Sequence, residues 1–187
     1  TLLPTYLWET AVLISRTVLL ALLLGVSTAW LVSANDFPGR GLFRWALVLP
    51  LALPTYISAI TCSALWGPTG TFSLWVAEHT GLHIDLLTPS GLAYVLALVL
   101  FPYVYLPARA AFSGGMSAQL DAARMLGGGA LRRAFRVAFP LALPAIGGGG
   151  LLVAMEVLND YGAVRHYGVR TLTAGIFRSW GGVYDSG

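Results

Sequence analysis

Apolar residues in this chain run on in long unbroken stretches instead of alternating with polar ones. Four stretches contain neither a charge nor a histidine: Thr17–Asn35 with 19 residues, Trp45–Ala77 with 33, Leu86–Ala108 with 23 and Val137–Met155 with 19. Together they make up half of the 187 residues. About 20 apolar residues of helix cross the hydrocarbon core of a bilayer, so the pattern predicts four membrane helices, near 11–34, 46–67, 90–112 and 141–160. The connections are then 35–45, 68–89 and 113–140, followed by a tail at 161–187. An outer-membrane barrel would show alternation in strands of about ten residues, and none is seen.

Composition agrees with this pattern. Hydrophobic residues make up 57% and charged residues 10% of the chain, against about 25% charged in an ordinary soluble domain. Water-soluble enzymes and nucleic-acid-binding domains do not leave such stretches uncharged, so the net charge of +3 is read as topology, not as affinity for nucleic acid. All 11 basic residues are arginines. Arg40, Arg44, Arg109, Arg124, Arg132, Arg133 and Arg136 fall on one side of the predicted helices, whereas 68–89 holds only Glu78, His79, His83 and Asp85. Arginine-rich short loops mark the cytoplasmic side, which places 35–45 and 113–140 there. Arg165, Arg170 and Arg178 in the tail oppose this bias without reversing it. The expectation is an all-α, multi-pass membrane protein surrounded by lipid. The single Cys62 excludes a disulfide framework.

Proline and glycine crowd the spans at Pro50, Pro54, Pro102, Pro107, Pro144 and Gly147–Gly150. They are read as kinks and points of close helix approach. The 113–140 loop is long for a connection between helices, which suggests structure of its own. Ser117 is a candidate N-cap for a short helix that stops at Gly127, and a second amphipathic stretch covers 130–137. Such a pair is either a docking element or an interfacial pair held by anionic lipid.

The residues in that loop also carry a resemblance. Asp121-Ala122-Ala123, three residues, Gly127, nine residues, then Val137-Ala138-Phe139-Pro140 resembles the EAA loop of type I ABC-transporter permeases. The spacing is the same, with Asp121 in place of the family's Glu. Asp36–Arg40 followed by Leu47–Pro54 is similar to the first cytoplasmic loop and next helix of the same family. Met155–Gly162, continued by Tyr167–Val169 and Thr171–Trp180, looks like its ferric-iron branch. The resemblance implies a MetI-like helix bundle with a coupling loop. In that loop Asp121, Ala122, Ala123, Arg124 and Gly127 would meet an ATP-binding cassette ATPase subunit. It further implies a periplasmic substrate-binding protein and a second permease half as partners, in a bacterial inner membrane. Related branches carry thiamine, sulfate, putrescine or phosphonates. Iron-branch permeases hold two bundles in one polypeptide, so 1–187 is expected to be a single, incomplete half. The chain also starts without Met and is read as a fragment or processed piece.

No covalent chemistry and no bound cofactor are expected of the chain itself. Gly127-Gly128-Gly129 lacks the Lys-Ser/Thr of a phosphate-binding loop, so ATP would be used by the partner subunit. Glu156 lies at the end of the fourth run, where an ionisable group usually faces a bundle interior or a watery path. With Asp160 four residues on, on the same helix face, and Tyr161 adjacent, it forms a candidate translocation path whose oxygens suit a hard cation. The structural alternative is an Arg16–Glu156 ion pair. His79 and His83 have the spacing of a helical metal site, but Gly81 between them is a helix stop, so they are read as loop residues and no metal site is assigned. A secondary transporter without an ATPase partner would show inverted repeats, and an intramembrane enzyme would need a better catalytic pair than Arg16 and Glu156.

Overall fold

The computed structural model describes residues 3–114 and 138–176. They are helical, with no strand among the described residues. The helices are α1 Leu3–Ala34, α2 Arg40–Ala46, α3 Thr55–Trp66, α4 Thr71–Thr80, α5 Pro89–Leu100, α6 Pro102–Gly114, α7 Phe139–Asn159 and α8 Tyr161–His166, with a 3-10 turn at Leu49–Ala52 and further helix at 172–176. By length and composition α1 and α7 are each able to cross a membrane, and there are four such spans if 40–80 and 89–113 each count as one bent span.

The first and fourth predicted helices are therefore continuous. The first starts earlier than expected, because Pro4 is tolerated in a first turn where the N–H has no helical partner. Along α1 the hydroxyls of Thr10, Ser15, Ser27 and Thr28 donate to carbonyls four residues back at 2.6–2.7 Å. This satisfies a polar group inside an apolar helix from that helix's own backbone. The second predicted helix, 46–67, is instead a 3-10 turn and a separate helix. Pro50 and Pro54 lack the N–H a continuous helix needs and disfavour helical geometry in the residue before each. The third is divided at Phe101–Pro102 for the same reason. The 68–89 connection holds α4, which starts after extended Gly70 and stops at Gly81, whose φ of 72° suits only a residue without a side chain.

The described residues gather into two compact units. One comprises residues 3–19, 53–99 and 154–176. Its core includes Leu13, Ala59, Leu92, Leu96, Val157, Ala163, Val164 and Tyr167. The other comprises 20–52, 100–114 and 138–153. Its core is built of small and branched residues, among them Ala21, Ala29, Val104, Ala108, Ala142 and Val153. Here Gly25 of α1 and Gly149 of α7 both lie against α6 at Val104. A Cβ on Gly25 would stand 2.7 Å from Val104 Cβ, and one on Gly149 would stand 2.7 Å from the Tyr103 carbonyl oxygen and 2.8 Å from Val104 Cα. Small residues set this backbone approach.

In the same unit Arg40 closes the end of α1. Its Nε donates to the Val32 carbonyl at 2.7 Å, Nη2 donates to the Ser33 carbonyl at 3.3 Å, and Nη1 pairs with Asp36. Gly39, at φ 88°, turns the chain back so that Arg40 can reach. The last carbonyls of a helix lack partners within it and carry its negative dipole end, and a guanidinium answers both needs. Outward on α1 and α7, Leu19, Leu23, Leu31, Leu141, Leu143, Leu151, Leu152 and Met155 are exposed, an apolar face suited to lipid.

Candidate functional site

The first unit contains the residues that the sequence marks for a pathway. Helix α7 ends at Asn159, and Asp160 adopts an extended conformation in which Oδ1 accepts from the Ala163 backbone N–H at 2.9 Å. Asp160 is thus the N-cap of α8. Its short carboxylate competes for a backbone donor and starts a new helix, so Glu156 and Asp160 do not share one helix face as expected. The other oxygen, Oδ2, is buried and has no hydrogen-bond partner. Glu156 is half-buried near the end of α7.

The turn then places Tyr161 at the edge of a cavity of about 530 Å³ lined by Tyr56, Tyr161, Gly162, Arg165 and His166. Arg165 Nη1 donates to the Tyr161 phenol oxygen at 3.2 Å, and its guanidinium carbon lies 5.7 Å from that ring's centre. His166 Nε2 and Ser63 Oγ of α3 are 2.6 Å apart. Gly162 lets α8 reach Tyr56, since a Cβ there would come within 2.8 Å of the Tyr56 ring. Acid, aromatic and glycine at 160–162 thus serve as cap, cavity wall and contact point in turn.

The expected Arg16–Glu156 ion pair is not formed. Arg16 Nη1 donates to Ser90 Oγ, at the start of α5, at 2.8 Å. Among the described residues the ion pair present is Arg40–Asp36. Arg16 borders a second cavity of about 280 Å³ with Trp8, Glu9 and Arg170. There Glu9 Oε2 accepts from the Arg170 backbone N–H at 2.9 Å, and Thr10 Oγ1 accepts from that of Leu172 at 3.1 Å. Thr173 Oγ1 donates to the Leu158 carbonyl at 2.6 Å. Glu9 and Thr10 were not singled out from sequence. A polar pair near the start of an apolar helix was the available signal, and its partners lie some 160 positions away.

Tyr167 is buried, and its hydroxyl reaches the Ala59 carbonyl at 3.5 Å. Burial chiefly, with Cys62 and Asp85 adding, pushes its phenol up to about 12. On α4, His79 stacks on Trp75 with ring centres 4.5 Å apart, while His83 lies beyond the helix end at Gly81. Asp121, Ala122, Ala123, Arg124 and Gly127 of the predicted coupling loop lie outside the described residues.

No family model matches the chain. Individual proteins do. The probable sulfate transport system permease protein of Chlorokybus atmophyticus is 30% identical over 143 residues, 75% of this chain and 48% of that protein. The molybdenum transport system permease protein of Escherichia coli (strain K12) is 31% identical over 149 residues, 80% of this chain and 65% of its own length. The Fe(3+)-transport system permease protein of Haemophilus influenzae is 30% identical over 177 residues, covering 91% of this chain and 32% of that protein. The chain spans about half the length of the first relatives it matches, from 48% to 57%.

Proposed function

We propose, from its relationship to sulfate, molybdenum and Fe(3+) transport system permeases, that this chain is the transmembrane permease subunit of an ATP-driven, binding-protein-dependent ABC importer of ferric iron. The apolar helices support a multi-pass membrane protein, and the relatives' being transport permeases supports reading this chain as a transport subunit. The iron reading is supported by the resemblance of residues 155–180 and by a match to an Fe(3+)-transport permease over 177 residues; sulfate permeases match over 143 and 165 residues and the molybdenum protein over 149. Sulfate, thiamine, phosphonate or polyamine cargo is the alternative within the same class.

In this reading ATPase subunits engage the loop around Asp121–Gly127, and ATP-driven closure of those subunits alternates access to the path. A binding protein delivers cargo at the opposite face, and a second permease half completes the pathway in a bacterial inner membrane. Glu156 and Tyr161 are the candidate cargo contacts, while Asp160 shapes the turn that presents Tyr161.

The experiment is uptake of radiolabelled iron by cells with and without the cognate binding protein. The expected result is uptake that requires the binding protein, falls in Glu156→Gln, and is abolished with loss of ATPase co-purification in Gly127→Asp. Sulfate or thiamine uptake without iron uptake overturns the cargo. Transport with no co-purifying ATPase overturns the class.

A further inference from the structure

The cavity walled by Tyr56, Tyr161, Arg165 and His166 has one consistent chemistry. Its polar groups are two phenols, a guanidinium and an imidazole, and among the described residues no carboxylate lines it. The carboxylate nearest in sequence, Asp160, is committed to capping α8 through Oδ1. Arg165 carries five N–H donors in a fork, one of which is spent on Tyr161 at 3.2 Å. That contact, with the guanidinium 5.7 Å from the ring centre, holds the fork at the cavity wall. Ser63 of α3, 2.6 Å from His166 Nε2, ties the imidazole of α8 to the opposite helix. A bare multivalent cation meets a fixed positive charge here, whereas an oxygen-rich anion meets donors. Guanidinium forks match planar and tetrahedral oxyanions with paired hydrogen bonds.

We propose that this cavity is an oxyanion subsite, with Arg165 as its charged anchor and Tyr56 and Tyr161 as its hydroxyl walls. The anion has two possible sources: a free inorganic oxyanion, or the oxygen ligand carried with ferric ion. The second source rests on the iron-import reading; the subsite itself does not. Gly162 is what makes the walls close, because any larger residue drives Tyr56 off α8.

The test is calorimetric titration of the whole protein in nanodiscs of neutral lipid with inorganic sulfate, inorganic phosphate, citrate and ferric citrate. Wild type is expected to bind at least one saturably. Arg165→Gln is expected to weaken that binding at least tenfold, Gly162→Ala several-fold, and Arg165→Lys less than Arg165→Gln. Arg170→Gln, in the other cavity, is expected to bind as wild type does. Saturable sulfate or phosphate binding identifies a free anion. Saturation by ferric citrate, but by neither citrate nor sulfate, identifies the anion that travels with iron. Absence of saturable binding by any of the four, equal affinity in Arg165→Gln, or loss in Arg170→Gln alone overturns the subsite. ATPase co-purification measured on the same preparations reports separately on the importer reading.

Discussion

Three consecutive glycines of α7 provide a sharp test of how close packing is distributed. An added Cβ at Gly147 or Gly148 meets nothing within 4 Å, whereas at Gly149 it meets the Tyr103 carbonyl oxygen at 2.7 Å and Val104 Cα at 2.8 Å. Both atoms at Gly149 are backbone, so relief requires moving α6 itself. Nine in ten real Cβ contacts sit beyond about 3.4 Å, and reaching that distance means a displacement of roughly 0.6–0.7 Å. Overpacking of this kind costs about 1–3 kcal/mol. Gly→Ala in an open helix position instead gains up to about 1 kcal/mol by restricting the unfolded chain and improving helix propensity. Neighbouring substitutions of identical chemistry should therefore differ by about 1–4 kcal/mol. Thermal unfolding in detergent, followed by tryptophan emission, should place Gly149→Ala several degrees below wild type and Gly147→Ala and Gly148→Ala at or above it. Equal midpoints for all three variants would refute the claim that α6 and α7 are in contact at this level. If Gly147→Ala were the damaging change, the contact face of α7 would be wrong by two residues.

Three further outcomes are expected. Asp160→Ala should lower stability by about 1 kcal/mol through loss of the α8 cap, while Asp160→Asn keeps an accepting oxygen and should cost less; equal losses measured by unfolding would contradict the cap. Arg40→Gln should cost about 1–3 kcal/mol by leaving the α1 carbonyls and Asp36 unanswered, with Arg40→Lys intermediate, and unchanged unfolding of Arg40→Gln would refute the clamp. For Tyr167 the folded phenol titrates near 12 and an unfolded one near 10. Its contribution is therefore complete below about pH 10 and lost as pH rises toward 12. Wild type should lose stability over that window more steeply than Tyr167→Phe, and parallel pH profiles would contradict the assignment.

Charge-free length was enough to read α1 and α7 from sequence, because nothing inside either span opposes a continuous helix strongly enough to end it. Pro144 sits in α7 without ending it, while Pro50 and Pro54 break theirs. The difference is place: Pro140, also four residues before Pro144, falls in the first turn of α7, where its missing N–H has no helical partner to lose, whereas Pro50 and Pro54 both fall inside the run a continuous helix would have to bridge. The 33-residue run was too long for one span, and it is filled by shorter pieces punctuated at Gly67 and Gly70. Asp160, Tyr161 and Gly162 were visible as a cluster, yet their roles depend on Tyr56, over a hundred positions away, and on which residue ends α7. An Arg16–Glu156 pair was plausible from similar depth alone, but depth does not fix azimuth around a helix, and Ser90 was the neighbour that Arg16 faced. Packing partners across the bundle are set by tertiary geometry that periodicity does not encode.

The clamp at the end of α1 ties two roles to one side chain. Arg40 is among the arginines from which the sequence expectation of orientation is drawn, and it is also the donor that completes the helix. A mutagenesis study that deletes positive charges to probe orientation would thus unravel the last turn at the moment it removed the address. Arg44, four residues on, has no hydrogen bond in the clamp, so its removal takes a charge from the same side while leaving the α1 carbonyls answered.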